Sequence, residues 1–115
     1  MPPRRVRRIE IDDVLTLTFD SEPKTRSHAL RELCPCHVKA NDERVWSRIL
    51  EMAADPDVRV RRTVVHALAD GSPRALEPQV IATLESMRAD PDERLSKTVR
   101  RVLDHHRRTG HVNIL

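Results

Sequence analysis

Apolar residues recur along this chain at helical rather than strand spacing. Val45, Trp46, Ile49, Leu50 and Ala53 fall on one side of a helix, and Val60, Val64, Ala67 and Leu68 form an i, i+4, i+7, i+8 stripe. Asp55-Pro56 separates the two runs, and a proline disfavours helical geometry in the residue before it. The pattern therefore predicts two helices joined by a tight corner. At that corner Asp55 is the expected N-cap of the second helix, Pro56 its first residue, and Asp57 a favourable charge at the positive end of the dipole. Asp70-Gly71 is expected to end this helix with Gly71 in the left-handed conformation. Asn41 and Ser72 are candidate caps or turn residues for the segments that follow, and Gly110 is the expected stop for the last helix.

The corner repeats. Asp55-Pro56-Asp57-Val58-Arg59 lines up with Asp90-Pro91-Asp92-Glu93-Arg94 at an offset of 35, and one more step back reaches Asp20-Ser21-Glu22-Pro23-Lys24. The apolar columns keep the same register. Ala29, Val64 and Val99 coincide, as do Leu33, Leu68 and Leu103. So do Ile11, Trp46 and Ile81; Val14, Ile49 and Leu84; and Leu17, Met52 and Met87. A helix pair of this length cannot bury its own stripe, but three stacked pairs share one continuous core, and about three is the minimum for stability. The expected fold class is all-α: an α-α superhelix, or short solenoid, of three helix pairs in a single domain over residues 1–115. The repeats would span about 10–40, 41–75 and 76–110, with a basic arm at 1–9 and a tail at 110–115. A chain of this design is expected to be complete as a short solenoid.

From about Ile11 to about Arg108 the sequence resembles the HEAT repeat family, including the HEAT-like repeats of bacterial proteins. The similarity is strongest at the Asp-Pro-Asp corner followed by an aliphatic and a basic residue, as in Asp55 with Val60-Arg61. Asp20 with Thr25-Arg26 follows the pattern less closely. Asp90 fits, but Ser96 stands where the family usually has Arg or Lys. The resemblance implies a polar ladder between repeats built from Asp20, Arg26, Asp55, Arg61 and Asp90, ending where Ser96 replaces the basic residue. It also implies a scaffold for protein or nucleic-acid partners without naming one.

Composition narrows the picture. Aromatic residues make up only 2% of the chain, so the core must be aliphatic, and Trp46, which aligns with Ile11 and Ile81, reads as part of it. Charged residues reach 34%, yet they are interspersed with apolar ones, which suits helices with one wet face rather than disorder. The net charge of +3 says little about partners; its distribution says more. On the predicted second helices, Lys24, Ser27 and Arg31 align with Arg59, Arg62 and His66, and with Arg94, Lys97 and Arg101. His105 and Arg108 continue the last series, so eight of these eleven positions are Lys or Arg. HEAT-like folds usually place second helices on the concave surface, which would make that surface basic. Such a column serves equally as a solvated face. If it binds a ligand, the first expectation is a protein partner with an acidic surface. The second is the phosphate backbone of a nucleic acid, read without sequence preference because stacking aromatics are scarce. The arm Arg4-Arg5-Val6-Arg7-Arg8 could add to either.

Cys34-Pro35-Cys36-His37 raises a third possibility, a metal or thiol site, since thiolate and imidazole suit a soft or borderline metal, with His28 or His66 as a further ligand, and paired thiols suit redox chemistry. Cys-x-Cys is not the usual knuckle spacing, however, and buried structural cysteines are common. No metal is therefore assigned at Cys34, Cys36 and His37. His105, His106 and His111 read as surface residues. No nucleophile motif or Gly-rich phosphate loop occurs, so the chain reads as a non-enzyme without cofactors. Asp12-Asp13 fits a helix start. With no apolar run long enough to span a membrane and no secretory signal, a cytoplasmic protein is expected, either monomeric or a weak homodimer. The Val112-Asn113-Ile114-Leu115 tail would cover its own last repeat or reach a neighbour.

Overall fold

A computed structural model describes residues 8–33 and 42–113. Six α-helices make up most of this, and no strand occurs among the described residues. They are α1 (Arg8–Leu17), α2 (Pro23–Glu32), α3 (Glu43–Glu51), α4 (Val58–Gly71), α5 (Glu77–Ser86) and α6 (Glu93–Thr109). A single 3-10 turn, Met52–Ala54, extends α3, and another, Arg74–Leu76, leads into α5. Odd-numbered helices contact one another to form one layer, and even-numbered helices form the second. The aliphatic core lies between the layers. Ile49, Val60, Val64, Leu68, Val80, Leu84, Val99 and Val102 in it are fully shielded from solvent. Trp46 is buried there too. Ile81 and Leu103, in the same columns as Trp46 and Leu68, are only half-buried at the edge of the third pair.

Three local expectations need correction. First, each second helix begins two residues later than the corner suggests. Asp57 and Asp92, not Asp55 and Asp90, are the caps of α4 and α6, accepting from the N–H of Arg59 (2.8 Å) and of Leu95 (3.0 Å). Glu22 holds the equivalent place before Pro23 of α2. The first aspartate of each corner is committed elsewhere: Asp55 accepts the N–H of Asp57, and Asp90 that of Asp92, both at 2.9 Å. Pro56 therefore sits before the helix rather than inside it.

Second, Gly71 does not take a left-handed conformation. It is the last residue of α4, and among the described residues Gly110 alone has a positive φ, 78°. The chain leaves α4 through an extended Ser72 (ψ 140°), which Pro73 enforces from the following position, so no left-handed residue is required. Ser72 does not cap the next helix. It is buried, and its N–H donates to Asn113 Oδ1 at 3.0 Å. Together with the burial of Val112, this folds the described part of the tail back onto its own chain. Gly110 does stop α6, its N–H donating to His106 O at 2.7 Å.

Third, Leu17 is not equivalent to Met52 and Met87. Those two are buried, whereas Leu17 is 45% exposed. Thr18 turns inward instead, because its hydroxyl and carbonyl receive Arg48 Nε and Nη2 at 3.0 and 2.9 Å. Truncating the core should accordingly separate the two leucines. Leu68→Ala is expected to cost about 2–5 kcal/mol in urea denaturation, and Leu17→Ala no more than about 0.5–1 kcal/mol. Equal losses would contradict this assignment.

Candidate functional site

The even-numbered helices present one face, and its polar framework starts at the corners. Arg26 of α2 reaches the next repeat, donating from Nε and Nη2 to the two carboxylate oxygens of Asp55 at 2.9 and 3.0 Å. Its Nη1 donates back to the carbonyls of Asp20 and Ser21. Arg61 of α4 repeats the arrangement, donating to Asp90 at 2.8 and 3.1 Å and to the carbonyls of Asp55 and Pro56. Each rung is bidentate, the strongest geometry available to this pair. Both aspartate side chains are more than nine-tenths buried. Ser96, in the register of Arg26 and Arg61, turns inward and donates to the carbonyl of Arg88 at 2.7 Å.

The rungs set the charges involved. Hydrogen bonding to Asp55 raises the pKa of Arg26, and hydrogen bonding to Asp90 raises that of Arg61. Burial works against ionisation of Asp90. The Arg61 hydrogen bonds, the Asp92 N–H and the Arg61 charge outweigh it and hold the carboxyl below the usual carboxylate range.

The basic column is less free than its composition suggests. Arg59 folds back onto the cap Asp57, whose pKa it lowers. Arg62 pairs with Asp92 of the next repeat at 3.2 Å, Lys97 with Glu93 at 3.4 Å, and Arg108 with Asp104 at 3.1 Å. Arg107 joins Arg108 on Asp104 and is the main cause of that carboxyl's depressed pKa. Ser27, grouped with this column by register, is buried and hydrogen-bonds Thr63 across the α2–α4 contact at 3.0 Å. Lys24, Arg31, His66, Arg94 and Arg101 are exposed, with no ion pair among the described residues. A groove of about 230 Å³ between α4 and α6 brings Arg62, His66 and Arg94 together over Val65, Leu95 and Thr98. Lys97 and Arg101 stand outside its lining.

Two inter-repeat contacts in the other layer were not foreseen. Arg44 pairs with both Asp12 and the α3 cap Asp42. Arg48 stacks on the exposed ring of Phe19, 3.6 Å from its centroid, while bonding Thr18. Neither arginine belongs to a repeated column, so periodicity carries no signal for them. Cys34, Cys36, His37, Asn41 and the arm preceding residue 8 lie outside the described residues. His28 pairs with Glu32 at 3.2 Å, and among the described residues no cluster suited to a metal ion occurs.

Helix pairs stacked in two layers and tied corner to corner define an α-solenoid repeat protein. A family model of HEAT repeats matches residues 11–104, and the chain belongs to that family. No curated protein and no solved structure matches it. HEAT repeats generally mediate protein–protein interaction or scaffolding and are typically non-catalytic. Among the described residues, no helix is long and apolar enough to cross a membrane.

The ladder makes a pH-resolved prediction. Arg61→Met leaves the Asp90 carboxylate buried and unpaired, an expected loss of about 3 kcal/mol near neutral pH. The folded-state pKa of Asp90 is depressed, so its contribution to stability is complete above the unfolded value of about 3.9 and disappears as pH falls through the folded value. Urea denaturation should therefore show the gap between wild type and Arg61→Met holding from about pH 7 down to about pH 4 and narrowing below it. A gap that stays constant would show that Asp90 ionisation does not stabilise the stack.

Proposed function

We propose that this protein is a non-catalytic interaction module that docks an acidic protein partner across α2, α4 and α6. One observation carries the reading. Arg31, His66 and Arg101 occupy the same seat on three successive second helices; all three are exposed, and none has an ion pair among the described residues. Packed helices lie about 8–10 Å apart, so this row extends roughly 20 Å across the face. Arg94 and Lys24 add to it. Exposed arginines without internal partners make little contribution to fold stability and are available to a ligand.

A protein fits this row better than a nucleic acid does. The same helices carry Asp57, Asp92, Glu93 and Asp104, each already facing a basic residue. These pairs interrupt the basic track that a continuous phosphate backbone needs, whereas a partner with a few spaced acids needs only the unpaired cations. Phosphate-backbone binding is the second reading, and the same row of cations supports it.

Fluorescence anisotropy with a labelled peptide of glutamates spaced by glycines and a labelled DNA duplex at ~50 mM salt distinguishes the two. The peptide is expected to bind, and Arg31→Glu/Arg101→Glu to weaken it by about tenfold or more. Duplex binding with a salt slope near −0.9 per neutralised phosphate, together with no peptide binding, would favour the nucleic-acid reading. Binding of neither probe would overturn both.

A further inference from the structure

The α4–α6 groove lies at a junction that departs from the repeat. Between α2 and α4 the facing pair is Ser27 and Thr63, hydrogen-bonded at 3.0 Å, and these small residues let the helices pack closely. Thirty-five residues on, the corresponding pair is Arg62 and Thr98. An arginine cannot be buried where a serine was. Its guanidinium instead leaves the interface for Asp92, 3.2 Å away, and α6 packs less extensively on α4 than α2 does. At this looser junction, with Arg62 in its lining, lies the groove of about 230 Å³. Its floor is Val65 and Leu95, and Thr98 donates its hydroxyl to the carbonyl of Arg94 at 3.0 Å, so it offers no free donor to a ligand. His66 and Arg94 stand at the sides, and Asp92, the nearby carboxylate, is neutralised by Arg62.

We infer that this groove seats one aliphatic side chain of the docked segment while Arg94 takes a carboxylate next to it in sequence. The inference rests on the acidic-partner reading and deepens it: the ligand class is an extended peptide in which Asp or Glu flanks Leu, Ile or Val. The volume is below the roughly 300–1,000 Å³ of small-molecule sites, which suits one or two side chains rather than a metabolite. An apolar floor beside the Arg94 guanidinium complements such a peptide in both shape and charge, and an aliphatic side chain leaving water for that floor adds affinity that charge alone does not supply.

Two peptides of equal charge test this, one of glutamate and glycine and one of glutamate and leucine. The leucine peptide should bind about tenfold tighter, the gain expected from burying one aliphatic side chain. It should shift the NMR methyl signals of Val65 and Leu95, whereas the glycine peptide should not. Thr98→Met fills the groove without changing a charge and should abolish the preference while leaving glycine-peptide affinity within about twofold. Arg62→Ser, which restores a small pair between the helices, should have the same effect on the preference. Equal binding of the two peptides, or methyl shifts confined to other residues, overturns the groove and leaves the acidic-partner reading standing. If neither peptide binds, both fall.

Discussion

The stack depends on a carboxylate shared between neighbouring repeats. Asp55 is simultaneously the fold-back acceptor of its own corner, through the N–H of Asp57, and the bidentate acceptor of Arg26 from the repeat before. Asp90 does the same for its corner and for Arg61. Each rung is a bidentate fork, a geometry that favours one distance and rotation between neighbouring helix pairs. Hydrophobic burial in the aliphatic columns is non-directional, whereas a charged, bidentate rung is directional. The corner is thus where local chain reversal and long-range register are decided by the same side chain.

That dual role explains what could be read in the sequence and what could not. The 35-residue register and the apolar columns at Ala29, Val64 and Val99 identify helix pairs, because burial in a stack imposes the same size and polarity on each equivalent seat. The cap shift from Asp55 to Asp57 could not be seen, because Asp-Pro-Asp offers two carboxylates. The first carboxylate of each corner folds back onto the N–H two residues on, at Asp20, Asp55 and Asp90 alike, and leaves the second position to cap. Gly71 failed for a local reason that was available in principle: Pro73 already dictates an extended exit from α4. Leu17 failed because Arg48, which belongs to no column, draws Thr18 inward. The groove was not visible at all from composition. It lies at the junction where Arg62 stands in the seat of Ser27, a difference that a charge-based reading counts merely as one basic position more or less.

The acids on the second helices also change what the basic residues mean. A count of Lys and Arg treats Arg59, Arg62, Lys97 and Arg108 alike with Arg31, Arg94 and Arg101. The geometry divides them: the first four face carboxylates, and the last three do not, among the described residues. Two of the acids are helix caps: Asp57 holds Arg59 of its own helix, and Asp92 holds Arg62 of the helix before. The other two, Glu93 and Asp104, lie on α6 one turn from the residues they hold. Arg94 stands in the seat of Arg59, but its cap Asp92 is engaged by Arg62, and Arg94 has no ion pair among the described residues. Arg31 and Arg101 stand at one equivalent seat further along their helices, without an ion pair among the described residues.

Repeat symmetry and its violation thus do different work in this chain. Where successive repeats agree, as at Arg26 and Arg61, the shared feature holds the stack together, because every interface has the same problem to solve. Where they disagree at an interface seat, the stack must deform locally. Arg62 in place of Ser27 brings a cation to the junction that holds the groove. At that seat Ser27 is small and hydrogen-bonded to Thr63, whereas Arg62 reaches out of the interface to the cap Asp92 and lines the groove. Such a departure from internal symmetry, rather than the total charge, is the feature of this surface that distinguishes one helix junction from the other.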